Sequence, residues 1–240
     1  MAKSDKTLHD WTSEITTVIF DVDDTLYDTG TGFTAHRNGD AIFAFMVAKL
    51  NFPDAASAKL IRDEYFERFH STAKGLMMAE EEGRLPSSSQ YDGSNENKVK
   101  LFDTQDMALW WAEKLNFSLL GGPYEDLAQM LSACPLNLVV FSNGPRKYVL
   151  KVLKELGLDE VFPSHKVFAV DDVLPMCKPE KEAFEKIFDS IGVKNPSECI
   201  MVEDSMKNIR AAKDLGMRTV FISGLNANPI EDDPAIDLHI

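Results

Sequence analysis

Two aspartates at the end of an apolar run are the first residues whose types and spacing suggest chemistry. Asp21 and Asp23 follow directly after the run 17–20, and residues two apart in an extended chain project from the same face. Carboxylates held so close repel each other, so only one is comfortably ionised unless a cation lies between them. A cation would keep one anionic and nucleophilic, while the other could hold a proton near neutral pH. The pair therefore suits covalent carboxylate catalysis followed by general acid–base chemistry.

Further polar residues lie at comparable places along the chain. Ser142 and Asn143 follow an apolar run and open a helical pattern, where backbone N–H groups, a hydroxyl and an amide favour an anion. Lys178 precedes another helical pattern, and its ammonium would offer a charge to a phosphoryl oxygen and to a nucleophilic carboxylate. Glu203 and Asp204 follow a third apolar run, and their carboxylates suit the oxygen shell of Mg²⁺.

Each of these groups also has an ordinary structural interpretation. The aspartate pair could form a polar turn, the Ser-Asn pair could cap a helix, and the lysine could be a solvated surface residue. The Glu-Asp pair could complement the dipole of the following helix. Their shared position favours function, because all four groups lie at junctions between an apolar run and a helical pattern. The carboxyl ends of a parallel sheet bring such junctions to one edge, which predicts a single site.

Short apolar runs alternate with helical patterns along the second half of the chain. The predicted strands are 15–20, 138–141, 167–170, 199–202 and 219–222. The helical patterns between the later strands end at Gly157, Gly192 and Gly216, and glycine commonly stops a helix. Continuous apolar strands that alternate with helices indicate a parallel sheet covered on both faces. We therefore predict an α/β fold.

The segment between the first two predicted strands has a different pattern. Within residues 28–121, apolar residues recur at helical spacing in 42–50, in 58–69 and in a stretch that begins near Thr104, with no convincing strand. The Ser/Asn/Gly-rich stretch from Pro86 to Lys98 is typical of a mobile loop. A helical insert at this point can close over the carboxyl ends of the strands, where ligands of such sheets bind.

Composition limits what the protein binds and where it works. The 240-residue chain has a net charge of −14, which disfavours nucleic-acid polymers and anionic membrane surfaces. Its apolar runs stay far below the ~20 residues that span a bilayer. Cys134, Cys177 and Cys199 form no CxxC pair, which argues against a zinc site and against a disulfide framework. Residues 1–10 carry no signal-peptide pattern, so we expect a cytoplasmic protein.

Taken together, the motifs resemble those of the haloacid dehalogenase (HAD) superfamily, in the branch with an inserted helical cap. Asp21-Val22-Asp23-Asp24-Thr25, Ser142-Asn143, Lys178-Pro179 and Glu203-Asp204 follow one another in that family's order. The resemblance implies a Rossmann-like parallel sheet of order 5-4-1-2-3. It also implies a core formed by residues 1–27 and 122–240, an all-helical cap at 28–121, and Mg²⁺-dependent phosphoryl transfer.

The same resemblance implies a role for each motif residue. Asp21 would be the nucleophile and Asp23 the general acid and base. The phosphoryl group would be held by Ser142, Asn143 and Lys178. Asp204 would bind the metal beside Asp21 and the backbone carbonyl of Asp23, and Glu203 would be a further metal ligand or would support the ligands.

A more detailed likeness is to the pyrimidine 5′-nucleotidases of fungi and plants. The matching segments are Asp21–Tyr27, Glu64–Met77, Cys177–Lys186 and Glu203–Ile209, whereas the stretch from Met78 to Lys100 departs from that group. This likeness implies a small phosphorylated metabolite as partner, a nucleoside 5′-monophosphate. The cap residues that could stack on a base are Phe33, Tyr65, Phe66, Phe69, Met77 and Met78.

Other functions remain open from the sequence. The same scaffold could serve a phosphatase for another small ester, such as phosphoglycolate or a sugar phosphate, or a phosphosugar mutase. A C–halogen hydrolase would use Asp21 but would need neither Asp23 nor Mg²⁺, because a halide leaves without a proton. A non-catalytic interaction protein is a further alternative, and either a monomer or a homodimer is compatible with the chain.

Overall fold

The structure is a computed structural model that describes residues 14–86, 101–224 and 233–240. Residues 87–98 of the predicted loop lie outside the described residues, and so does the stretch 1–10. Within the described ranges, no helix has both the length and the apolar character needed to cross a membrane.

A parallel sheet forms the centre of the fold and has six strands within the described residues. Its strands are β1 (Thr17–Phe20), β2 (Asn137–Phe141), β3 (Val167–Phe168), β4 (Cys199–Glu203), β5 (Arg218–Phe221) and β6 (Leu238–His239). The lateral order is β3-β2-β1-β4-β5-β6, with every neighbouring pair parallel. The predicted order 5-4-1-2-3 is this order read from the opposite edge, and β6 extends it by one strand. The predicted α/β class is therefore confirmed.

The helical insert lies in the chain between β1 and β2, and its residues 28–86 and 101–121 are described. Its helices are α1 (Phe33–His36), α2 (Ile42–Lys49), α3 (Ala55–Phe69), α4 (Thr72–Glu81) and α5 (Thr104–Lys114). A π-type turn over Arg37–Ala41 separates α1 from α2. The side chains of Asp54, Ser71 and Asp103 cap the starts of α3, α4 and α5 by accepting from backbone N–H groups, which explains where these helices begin.

The helices after the insert connect the strands of the sheet. They are α6 (Glu125–Ser132), α7 (Arg146–Glu155), α8 (Val170–Val173), α9 (Lys181–Ile191) and α10 (Met206–Asp214). Short 3₁₀ helices occupy Thr29–Thr31, Phe117–Leu120, Ser164–Lys166 and Pro196–Glu198. The end of α9 lies where predicted, because Gly192 follows it with a φ of 74°, which glycine adopts without steric cost.

Alternate residues of β1 show that both faces of the sheet are covered. Val18 packs in the larger apolar cluster, which extends from α7 into the helical insert and includes Val152. Ile19 packs in a second cluster on the opposite face, with Phe184 of α9 and Met201 of β4. The central strand is therefore buried on both sides, as its continuous apolar sequence predicts.

The register of the central strands aligns their carboxyl ends. Phe20 of β1 pairs with Val140 of β2 on one side and with Val202 of β4 on the other. The N–H of Asp21 extends the ladder by donating to the carbonyl of Val202 at 3.0 Å. The residues that follow β1, β2 and β4 consequently meet at one edge of the sheet, beside the helical insert.

Candidate active site

A buried lysine joins two of the predicted acids. The Nζ of Lys178 lies 2.8 Å from Oδ1 of Asp21 and 2.7 Å from Oε2 of Glu203. Lys178 is 1% exposed and Glu203 is fully buried. Burial of these charges is costly unless they are paired and hydrogen-bonded, so the contacts hold the three side chains in a defined arrangement.

The residues after β2 hold the lysine in place. The side-chain oxygen of Asn143 accepts from the N–H of Lys178 at 2.9 Å, and its NH₂ group donates to the carbonyl of Lys178 at 2.8 Å. The hydroxyl of Ser142 is buried and accepts from the N–H of Gly144 at 3.0 Å. The structure thus brings Ser142, Asn143 and Lys178 together, with the Asn143 amide engaged by the lysine backbone. Their binding of a phosphoryl group stays a prediction.

The acids after β4 complete a carboxylate cluster. Oxygens of Asp21, Glu203 and Asp204 all lie within 4.8 Å of one another. Glu203 is held by the side-chain amide of Asn208 at 3.0 Å and by the N–H of Ser205 at 3.1 Å. Asp204 receives a 3.4 Å contact from the hydroxyl of Thr25.

The electrostatics of this cluster show an excess of negative charge. Burial and the charge of Glu203 raise the pKa of Asp21 well above its usual range, although Lys178 opposes the shift. Burial and the charges of Glu203 and Asp21 raise the pKa of Asp204 in the same way. Glu203 is also buried, yet the charge of Lys178 lowers its pKa. The three acids, when ionised, exceed the single ammonium by two charges, which is the charge of one Mg²⁺ ion. The donor set therefore fits an oxygen-preferring divalent cation.

Asp23 has a very different environment. Its carboxylate accepts from the hydroxyl of Tyr27 at 2.7 Å and from the hydroxyl of Tyr148, and it forms an ion pair with Arg37 of the helical insert. Burial alone would raise the pKa of Asp23, but the charge of Arg37 and these hydrogen bonds lower it below its usual range. In this arrangement Asp23 is therefore ionised more readily than Asp21, and its role as the general acid stays a prediction. The carboxylate of Asp23 also lies outside the metal-type cluster found among the described residues.

Sequence reasoning missed the partners of Asp23. Arg37 is 9% exposed, and its guanidinium carbon lies 5.1 Å from the ring centroid of Tyr148 and 5.5 Å from that of Trp111. The available signal is spacing: Arg37 follows Phe33 by four residues and precedes Ala41 by four. A charged residue within an apolar helical stripe indicates a buried partner. Tyr148 gave no comparable signal, because its ring fits the apolar pattern of α7.

A pocket of about 480 Å³ contains the site. Core residues supply its floor, and the helical insert contributes part of its wall, with Arg37, Phe66, His70, Ser71, Thr72 and Trp111. Among the residues predicted to stack on a base, Phe66 lines this pocket. Phe33 and Tyr65 are fully buried instead, and Phe69 packs against the larger apolar cluster. Met77 and Met78 pack there as well.

A pocket lined by buried charges at the carboxyl edge of a parallel sheet defines the class of the protein as an α/β enzyme. The chain belongs to the haloacid dehalogenase-like hydrolase family, which it matches over residues 15–216. The resemblance drawn from the motifs is thereby confirmed.

Individual relatives match parts of the chain or its whole fold. Pyrophosphatase PpaX from Halalkalibacterium halodurans is 33% identical over 103 residues, which cover 42% of this chain and 46% of that protein. The chain spans about half the length of the curated relatives that it matches. A HAD phosphatase from Thermococcus onnurineus is similar with a TM-score of 0.52 and 23% identity, over 94% of this chain and 93% of the other. A solved dehalogenase is similar with a TM-score of 0.53 and 21% identity, over 94% and 92%. These two structural likenesses concern the fold alone.

Proposed function

We propose that this hydrolase is a Mg²⁺-dependent phosphomonoesterase that works through an aspartyl-phosphate intermediate. The observation that carries the proposal is the buried cluster of Asp21, Lys178, Glu203 and Asp204 at the sheet edge. Such a cluster can hold a nucleophilic carboxylate and neutralise a phosphoryl group at the same place. The similarity to a pyrophosphatase supports phosphate chemistry.

The reaction divides into two displacements. Asp21 attacks phosphorus, the bond to the ester oxygen breaks, and that oxygen takes a proton from Asp23. A water molecule then attacks phosphorus, the bond to Asp21 breaks, and Asp23 takes the proton of the water. Because Arg37 and two tyrosines lower the pKa of Asp23, its first proton would come from a phosphate ester that binds as its monoanion, and the proton taken from the water restores Asp23 for the next turnover.

Lys178 and a bound cation would stabilise the negative charge on the transferring phosphoryl group. The ammonium of Lys178 contacts Asp21 and can stabilise charge on the phosphoryl oxygens as Asp21 attacks. Asp21 and Asp204 would hold the Mg²⁺, with Glu203 as a further ligand or as a support for them. When bound, the ion would neutralise charge on the transferring phosphoryl group.

The helical insert would act as a cap and select the leaving group. We assign the cap to residues 28–121 and the core to 1–27 and 122–240, and closure of the cap would exclude bulk water. The pocket volume of about 480 Å³ falls in the range that accepts small metabolites. Phe66 offers an aromatic ring at its wall, which favours a nucleoside 5′-monophosphate as substrate.

Other leaving groups define the alternatives. A phosphatase for phosphoglycolate or a sugar phosphate, or a phosphosugar mutase, would use the same catalytic residues. A C–halogen hydrolase is disfavoured by Asp23, which is held by three side chains although a halide needs no proton.

The test is a phosphate-release assay with nucleotides, sugar phosphates and phosphoglycolate in the presence of Mg²⁺. Asp21→Asn should abolish release while the fold stays intact, and Asp159→Asn, at an exposed position far from the motifs, should retain it. Release with nucleotides at the highest kcat/KM would support the substrate assignment. An Asp21→Asn rate above roughly a tenth of wild type would contradict the nucleophile, since such a residue is needed for every turnover. Formation of an isomer from a hexose 1-phosphate would favour a mutase instead.

We also propose a cytoplasmic location and a monomer or homodimer. Cys134 is a half-buried free thiol, and Cys177 and Cys199 are buried free thiols, which suits a reducing compartment. The partner expected in that compartment is a small phosphorylated metabolite.

A further inference from the structure

Arg37 links the helical insert to the catalytic edge through one compact set of contacts. Its Nη1 forms an ion pair with Oδ2 of Asp23 and donates to the hydroxyl of Tyr148 at 2.7 Å. The Tyr148 hydroxyl in turn donates to Oδ1 of Asp23. Oδ2 of Asp23 is therefore held by Arg37 of the insert, whereas Oδ1 is held by Tyr148 of α7 and also by Tyr27.

The backbone around Arg37 is distorted where it presents this side chain. The residues from Phe33 to Lys49 would otherwise form one continuous helix, but the turn Arg37–Ala41 interrupts it with a kink. Gly39 lies inside the turn with φ −103° and ψ −114°, outside the helical region. Crowding does not explain the glycine, because a Cβ at this position would meet no atom within 4 Å. The kink at Gly39 therefore lies two residues after Arg37.

The guanidinium is also fixed by its aromatic neighbours. Tyr148 and Trp111 lie 5.1 and 5.5 Å from its central carbon, at distances typical of cation–π contacts. Trp111 belongs to α5 of the insert, whereas Tyr148 belongs to α7. The contact set therefore exists only while the insert lies against the sheet edge.

We propose that Arg37 is a positioning residue through which the helical insert orients Asp23 toward the leaving oxygen. The inference rests on the proposed function, in which Asp23 donates the proton to that oxygen. A freely rotating carboxylate would sample several orientations, and a misplacement of about 1 Å can reduce a rate by ~10²-fold. Proton donation would thus be coupled to the presence of the insert over the pocket.

The experiment compares two phosphate esters in the first turnover, measured by rapid quench as release of the alcohol. An aryl ester such as p-nitrophenyl phosphate has a leaving group that departs without a proton, whereas an alkyl ester needs one. Arg37→Gln should slow alcohol release from the alkyl ester by ~10²-fold and from the aryl ester only several-fold, with KM nearly unchanged. Arg37→Lys should recover part of the loss, because it keeps the charge but not the planar fork.

Two further variants make the result decisive. Tyr148→Phe removes one hydroxyl and keeps a buried ring of the same shape. It should slow alcohol release from the alkyl ester ~10-fold more than from the aryl ester. This variant gives a result even if Arg37→Gln folds poorly. Arg84→Gln breaks an exposed ion pair elsewhere in the insert and should leave both esters unaffected.

Four outcomes would overturn the inference. Equal losses on both esters would give Arg37 a purely structural role, and a loss confined to KM would make it a substrate-binding residue. If the wild-type protein releases phosphate but Arg37→Gln and Arg84→Gln release the alcohol at equal rates, the inference fails while the proposed function stands. If the wild type releases no phosphate from either ester, the proposed function fails and the inference with it.

Discussion

Asp21 and Asp23 follow the same strand and are two residues apart, yet they lie in opposite electrostatic environments. Asp21 shares a buried cluster with two other acids, which raises its pKa, whereas the pKa of Asp23 is lowered by Arg37 and two tyrosine hydroxyls. The strand end supplies two equivalent carboxylates. The difference comes from the partners of Asp23, which are Arg37 of the insert together with Tyr27 and Tyr148 of the core, whereas the Asp21 cluster is built from residues at the sheet edge. One acid is thereby suited to a cation and the other to directional hydrogen bonding.

The largest expected effect comes from a substitution in the buried cluster around Asp21. Lys178→Met would leave Asp21 and Glu203 buried without their cation, so the free energy of unfolding should fall by about 3–5 kcal/mol. Phosphate release should fall by ~10²–10³-fold, because a charge next to the transferring group is lost. Urea unfolding and a phosphate assay measure the two effects.

Lys181→Met is the matched control for this variant. Lys181 lies three residues further along and forms an exposed pair with Glu185, so its loss should change neither measurement appreciably. Equal unfolding midpoints for the two variants would contradict the importance that we give to the Lys178 contacts.

Mg²⁺ should bind the Asp21 cluster and not the carboxylate of Asp23, and its effect on the free energy of unfolding should be smaller than that of Lys178→Met. The raised pKa values of Asp21 and Asp204 mean that these two carboxyls bind more protons in the metal-free folded state than in the unfolded state. Their contribution to stability therefore falls as the pH rises above the unfolded carboxyl value of 3.8 through neutrality. Mg²⁺ competes with these protons, so its stabilising effect should grow with pH.

Thermal unfolding with and without Mg²⁺ tests this dependence. At a hundredfold excess over Kd the ion contributes ~2.7 kcal/mol, which corresponds to a rise in Tm of roughly 5–10 °C for a chain of this size. The rise should be larger at about pH 8 than at about pH 5.5 and should be lost in Asp204→Asn. A rise that is equal at both pH values, or that persists in Asp204→Asn, would refute the cluster as the metal site.

The smallest expected effect concerns a thiol beneath the insert. Burial raises the pKa of Cys177 to about 12, and its sulfur lies 3.5 Å from the carbonyl of Phe69 in the insert. At about pH 8 the thiolate fraction is ~10⁻⁴, so alkylation by iodoacetamide should be slow compared with the half-buried Cys134. Peptide mapping by mass spectrometry gives both rates in one experiment.

A change in the insert should sharpen this result. Lys74 of α4 forms an ion pair with Glu180, which also accepts from the N–H of Cys177. Lys74→Met should therefore accelerate labelling of Cys177 several-fold by loosening this contact, although loss of the ammonium by itself raises the pKa of the thiol. Lys59→Met, which breaks an exposed pair within α3, serves as the control. Labelling of Cys177 as fast as Cys134 in the wild type would show that the insert does not cover it.

Much of the fold and of the sheet-edge site was predictable from the sequence. Strands appear as continuous apolar runs, and the helices of the insert start at capping residues such as Asp54 and Asp103, so both signals are local. Helix α4 was missed because it follows α3 after a break at His70, which has a φ of 53° and ends α3 without a glycine. Strand β6 was missed because it has two residues, too few for a pattern.

The sequence by itself determined which acids, amide and lysine lie at the strand ends. Parallel strands in register bring their carboxyl ends together whatever the intervening chain does, so a local pattern is sufficient. Only the tertiary structure decided how the two aspartates differ. Arg37 and Tyr148 reach Asp23 from 14 and 125 residues away along the chain. No local pattern encodes such a meeting, because it depends on how a helix of the insert packs against a helix of the core.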